Sequence, residues 1–175
     1  MKISEIFRKR KSDGVTKIVI HYRQGVGGYA IYPGQRIPRE IYLEKFGSKL
    51  AEIESELPRL AATEITVLTD APDTETKYVP PRNQMELWEG TPGFSNGEMT
   101  IKPTSFEYLN KFSALPLRII RGGDPLEAIE IMSNSDILLI GKSSLSFVGG
   151  LLNQTGQIYC PTDFWHRPMK HWRPL

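Results

Sequence analysis

Only one cysteine, Cys160, occurs in the 175 residues. No intramolecular disulfide can form, and no second thiol supplies the spacing of a structural zinc site. Long apolar runs are missing too: nothing approaches the roughly 20 residues of a membrane span. The opening MKISEIFRKRKSDG is charged where a signal peptide needs its apolar region. The expectation is a cytoplasmic chain without a membrane span, or one excised from something larger. Charge of one sign is nearly balanced, with 22 Lys and Arg against 20 Asp and Glu and a formal net charge of +2. That is too small for broad capture of nucleic acid or of an anionic membrane, so any basic site is local and no nucleic-acid partner is expected.

Three motifs are also absent. GKSS at 141–144 follows a predicted strand with no loop and lacks the upstream glycine of a Walker phosphate loop. There is no GxGxxG for a dinucleotide, and no GxSxG for a nucleophile elbow. A triad of Ser144, His21 and Asp70 therefore has little to stand on.

What is present is a folded α/β pattern. With 39% apolar and 24% charged residues, the chain has the profile of a globular protein. Residues 1–14 are a basic lead-in with Arg8, Lys9, Arg10 and Lys11, and 15–175 read as a single domain. Lys17 to His21 (KIVIH) packs β-branched residues as a strand buried on both faces does, and opens into Gly25, Gly27 and Gly28. From Pro38 to about Leu57, the residues Ile41, Leu43, Phe46, Leu50, Ile53 and Leu57 recur at helical spacing. Glu64 to Thr69 (EITVLT) is a second strand, ended by the turn chemistry of Asp70-Ala-Pro-Asp73.

From about 77 to 103 no sustained period shows, and an irregular excursion is expected there, a lid or a mere connection. A short helix is expected over Thr104 to Lys111, capped by Thr104 or Ser105. Asp124-Pro125 then starts a helix that runs to the Ser133-Asn134 break. Asp136 to Ile140 (DILLI) is a third buried strand, Leu145 to Leu152 a helix in which Gly149 and Gly150 permit close packing, and Gln157 to Tyr159 a short fourth strand. Repeated βα units predict a Rossmann-like three-layer fold, a parallel sheet with helices on both faces.

In such a sheet ligands bind at the C-terminal ends of the strands. Three of these ends carry polar groups: His21 to Gly25, Thr69-Asp70, and Gly141-Lys142-Ser143-Ser144. The third offers backbone N–H groups and the positive end of a helix dipole to an anion. Arg23 can reach the same anion with a bidentate fork. Taken singly, each piece has a plainer reading: Ser-Ser as a helix cap, Arg23 as an ion-pair partner, His21 as a structural histidine. The segment from Asp163 to Trp172, with His166 and His171, reads as a clasp packed across the sheet or as a platform for a base or sugar.

Three stretches resemble the donor-binding half of the α-1,2 and α-1,6 fucosyltransferases, which share a GT-B-like fold. IVIHYRQG at 18–25 is similar to that family's first motif, a strand followed by His-x-Arg-Arg. VLTDAP at 67–72 resembles its second strand and Thr-Asp turn. EAIEIMSNSDILLIGKSSLSFVGGLLN at 127–153 resembles its helix, Ser-x-x-Asp, buried strand and serine-rich segment. The resemblance implies an inverting, metal-independent transfer of a sugar, fucose foremost, from a GDP-sugar to a glycan hydroxyl, with no cofactor.

It further implies that Arg23 neutralises charge on the leaving diphosphate. His21, Gln24, Gly25, Asp70, Lys142, Ser143 and Ser144 would then surround the donor, with Tyr42 and Glu127 as weaker members. Gln24 stands where the family has its second Arg, Val26 where it has an acidic residue, and Ala128 where it has a helix Asp, beside Glu127. No catalytic base is named by the resemblance. An acceptor-side half would come from a separate chain or a homodimer. The rival reading is a non-catalytic nucleotide-sugar-binding or interaction domain, a remnant or fragment of such an enzyme. A flavodoxin-like or hydrolase α/β protein comes third.

Overall fold

The computed structural model describes residues 14–23, 39–57, 62–90, 93–164 and 166–175. Its centre is β1 (Val15–Tyr22), whose Ile18 and Ile20 are wholly buried. On one side β1 pairs in parallel with β2 (Ala62–Thr69), Ile18 opposite Ile65. On the other it pairs in parallel with β7 (Ile137–Ile140), Ile18 opposite Ile137. All four residues of β7 are apolar and buried, as a strand covered on both faces requires. Asp136 fixes the register at the start, because its carboxylate accepts from the Lys17 N–H at 2.8 Å and its own N–H donates to the Lys17 carbonyl at 2.9 Å.

Outside these lie β6 (Leu117–Arg121) against β2, β8 (Gln157–Cys160) against β7, and β9 (Arg173–Pro174) against β8, all parallel. Among the described residues the sheet has six strands in the order β6-β2-β1-β7-β8-β9. Counted along the chain this is 3-2-1-4-5-6, the doubly wound order, with its topological switch between β1 and β7. The α/β fold is compatible with a Rossmann-like one.

Alternation along β1 divides the core. Ile18, Ile20 and Tyr22 face α1 (Arg39–Glu56), which buries Leu43, Phe46, Leu50 and Ile53. Those four recur at helical spacing, and deleting a fully buried ring such as Phe46 would cost about 3–5 kcal/mol. Val19 belongs to the opposite core with Leu68, Leu138 and Ile140 under α2 (Pro125–Ser133) and α3 (Ser144–Leu152). Asp124 caps α2, accepting from the Leu126 N–H at 2.9 Å, and Pro125 takes the first turn. Close packing of α2 on α3 depends on Gly149, where a Cβ would stand 2.7 Å from that of Met132. Gly150 likewise makes room for Trp172, which is buried although residues 167–171 and 173–174 around it are exposed. No helix among the described residues is long and apolar enough to cross a membrane.

The middle of the chain departs from the expectation of an irregular excursion. Residues 76–101 hold a second, antiparallel sheet of β3 (Thr76–Tyr78), β4 (Phe94–Ser95) and β5 (Glu98–Ile101), in the order β3-β5-β4, with a 3-10 helix over Arg82–Trp88. Asn96 and Gly97 have φ of 52° and 78°, the left-handed pair that a tight hairpin demands. Trp88, Met99 and Ile101 make a small core of their own, with Tyr78 and Phe94 packed on it. The expected helix at 104–111 is a 3-10 turn over Glu107–Lys111; Thr104 is buried instead of capping it, and Ser105 accepts from the Glu107 N–H at 3.3 Å. The lead-in before Gly14 and the glycines at 25, 27 and 28 lie outside the described residues.

Candidate functional site at the sheet's C-terminal edge

Tyr22 is in register with Thr69, so the residues that follow each strand emerge side by side. Arg23 and Asp70 meet there, Nε to Oδ2 at 2.9 Å, each side chain about a third exposed. The carboxylate meets the guanidinium at its Nε, a partly exposed charge-assisted contact. Below them His21 is 4% exposed, and its Nδ1 has no hydrogen-bond partner among the described residues. Burial pushes its pKa down to about 4; Asp70 opposes the shift and Arg23 adds to it. The ring is therefore neutral at neutral pH.

Across the switch point, the Gly141 N–H donates to the His21 carbonyl at 3.0 Å. A Cβ at Gly141 would stand 2.8 Å from that same oxygen. Only glycine lets the end of β7 lie this close to the end of β1 without displacement. Ser143 then caps α3: its backbone is extended, and its buried hydroxyl accepts from the Leu145 N–H at 3.2 Å. Ser146, also buried, donates to the carbonyls of Gly141 and Ser143 at 2.8 and 2.9 Å and locks the turn. Ser144, the next hydroxyl, is exposed, with its Oγ 3.5 Å from His166 Nε2. Lys142 pairs with Asp163 from the end of β8, so the switch point lies between two ion pairs, Arg23–Asp70 and Lys142–Asp163.

Of the residues singled out in the sequence, the structure thus brings His21, Arg23 and Asp70 together, and places Lys142, Ser143 and Ser144 just across the switch point. Gln24 and Gly25 lie outside the described residues, as does the side chain of Tyr42, which falls in the first turn of α1. Glu127 is exposed in the first turn of α2, and no hydrogen bond or ion pair joins it to Arg23 or Ser144 among the described residues. The imagined triad is not assembled, since the histidine beside Ser144 is His166. The segment after β8 is a clasp: Trp172 is buried, Phe147 lies 5.3 Å from its ring, and the Leu175 N–H donates to the Cys160 carbonyl at 2.9 Å.

Arg121 was not legible in the sequence as part of the site. From the end of β6 its guanidinium donates to the carbonyls of Ala71, Pro72 and Thr104 at 3.1, 3.3 and 3.1 Å, and it lies 5.3 Å over the Phe106 ring. It pins the turn that carries Asp70, and the Ala71 N–H donation to Thr69 Oγ1 at 3.0 Å secures the other side. The available signal was an Arg immediately before Gly122-Gly123, whose φ values of 65° and 97° mark a sharp turn at a strand end.

Two negative observations complete the geometry. Among the described residues no group of three or more His, Cys, Asp or Glu is placed to hold a metal ion. An open groove lined by Glu44, Lys45, Ser48, Lys49, Glu52 and Leu175 runs beside α1 and contains none of the strand-end residues. Compared with protein-family models, with curated proteins and with solved structures, the chain matches none.

Proposed function

We propose that the edge at β1 and β7 binds the diphosphate of a nucleotide sugar, and that the chain is the donor-binding half of a GT-B-like glycosyltransferase. By its resemblance to the α-1,2 and α-1,6 fucosyltransferases the donor is GDP-fucose or a related GDP-sugar, and the acceptor is a glycan hydroxyl. One observation carries the reading: Arg23 and the start of α3 flank the switch point of a 3-2-1-4-5-6 sheet, where doubly wound folds take their ligands. Arg23, oriented by Asp70, forks onto the β-phosphate, and Ser144 and the first turn of α3 receive the other phosphate oxygens.

In the transfer itself the acceptor hydroxyl oxygen attacks the anomeric carbon from the face opposite the diphosphate, its proton passes to solvent water, the bond to the β-phosphate oxygen breaks, and the configuration inverts. Charge accumulates on the departing GDP, and Arg23 meets it there, which is electrostatic stabilisation of the transition state. The experiment is a titration of the chain with GDP, GDP-fucose, UDP and ADP at matched salt. Binding confined to the guanine ligands supports the reading, and indifference to the base contradicts its GDP-sugar part.

A second reading, a nucleotide-sugar-binding domain without catalysis, is favoured by the pairing of Lys142 with Asp163 and the use of the Ser143 hydroxyl as a cap. Both withdraw groups that would otherwise stabilise a leaving diphosphate. Release of GDP from GDP-fucose in the presence of glycan acceptors, measured against binding, separates the two.

A further inference from the structure

We propose that Ser144 and His166 form a nucleophile–base pair able to transfer a small acyl group from an ester to water. Ser144 is the first residue of α3, exposed, on a turn directly after β7. That turn is rigid, because Gly141 is pressed on the His21 carbonyl and Ser146 donates back to Gly141 and Ser143. The neighbouring Ser143 differs in kind, its hydroxyl buried and spent on the helix cap. An exposed hydroxyl on a fixed strand-to-helix turn is where a serine nucleophile is best presented.

His166 reaches it from 22 positions along the chain. The clasp delivers it: Trp172 seats against Gly150, and the imidazole lies 4.6 Å from the Phe147 ring and 5.6 Å from that of Phe164. Aromatic contacts on α3 and on its own segment hold the ring with Nε2 3.5 Å from the Ser144 oxygen. Nucleophile–base contacts are commonly this loose before substrate binds. Asp163 lies three residues ahead of His166, and its carboxylate is paired with Lys142.

The chemistry balances with water as the sole co-reactant. Ser144 Oγ forms a bond to the ester's carbonyl carbon as its proton passes to His166 Nε2, and the oxyanion forms beside the positive end of α3. The bond to the ester's alcohol oxygen then breaks, and that oxygen takes the proton from Nε2. Water, losing a proton to His166, next attacks the acyl-serine, and the carboxylic acid leaves with Ser144 restored.

A fluorophosphonate probe tests this with the full chain and no nucleotide, so the outcome does not depend on the donor reading. Serine attack on phosphorus expels fluoride and leaves an adduct that peptide mass spectrometry locates. The expected result is an adduct on Ser144, lost in Ser144→Ala and formed about 100-fold more slowly in His166→Gln, with partial recovery of the rate on adding imidazole. His166→Asn takes the place of the Gln variant if circular dichroism shows that the latter has lost its fold. Labelling of Ser144 no faster in the native chain than in urea, or at the same rate without His166, would overturn the proposal.

Discussion

Gly141 lies against the backbone of His21 so closely that a single added methyl would stand 2.8 Å from the histidine's carbonyl oxygen. The contact joins the ends of the two strands that border the switch point, and the 3.0 Å hydrogen bond from the Gly141 N–H runs to the same oxygen. Gly141→Ala must push β7 and β1 apart. It should lower stability by about 1–3 kcal/mol and weaken nucleotide binding together with it. Urea denaturation and ligand titration of the variant check both, and an unaltered denaturation midpoint contradicts the packing account.

Arg121 is expected to act on the site through the Asp70 turn. Arg121→Met deprives three carbonyls of a charged donor, and a loss of about 2 kcal/mol follows. If the turn also positions Arg23 through Asp70, nucleotide affinity falls in the same variant at a temperature where it remains folded, and Arg121→Lys restores part of it. Loss of stability with affinity intact would reduce Arg121 to a structural role.

His21 makes stability depend on pH in a definite direction. Burial first, and Arg23 second, hold its pKa at about 4 in the fold against Asp70's opposing charge, whereas the ordinary value is 6.5. Between those values the unfolded chain binds a proton that the folded chain refuses. Stability is therefore complete above about pH 6.5 and declines as pH falls towards 4, by about 3 kcal/mol in total for this group. Denaturation midpoints at pH 7, 5.5 and 4.5 should converge in His21→Gln. Parallel slopes in the two proteins would contradict the assignment.

Trp88 packs in the core of the small sheet. Trp88→Ala removes a fully buried indole from the cluster with Met99 and Ile101, at a cost of about 3–5 kcal/mol to that unit. Hydrogen exchange should lose protection in β3 to β5 while the β1 and β7 amides keep theirs. Global loss of protection would show instead that the two sheets unfold as one.

The six-stranded sheet was legible where its strands are buried on both faces. Within KIVIH, EITVLT and DILLI, residues 18–20, 65–69 and 137–140 are apolar or β-branched without interruption, α1 carries a helical period, and α2 carries its Asp124 cap. β6 was not legible, because LRIIR lies on an edge, Ile119 is 39% exposed, and two arginines break the pattern. The antiparallel sheet escaped because its strands have three, two and four residues, too few to show a period; Asn96-Gly97 is the signal that betrays its hairpin. At the site, Arg23 and Asp70 were legible as polar residues at the ends of predicted strands, though not as an ion pair. Arg121 and His166 were not, since what they touch is set by packing between segments far apart in the chain.

Arg23 holding a diphosphate at the switch point is tested most directly by calorimetric titration of GDP into the native chain and Arg23→Ala. Losing the guanidinium removes a bidentate, charge-assisted contact, so GDP binding should weaken about 10–100-fold or vanish while the fold stays intact by circular dichroism. GDP affinity that is unchanged in Arg23→Ala would place the nucleotide elsewhere, or nowhere, and would contradict the donor-site reading.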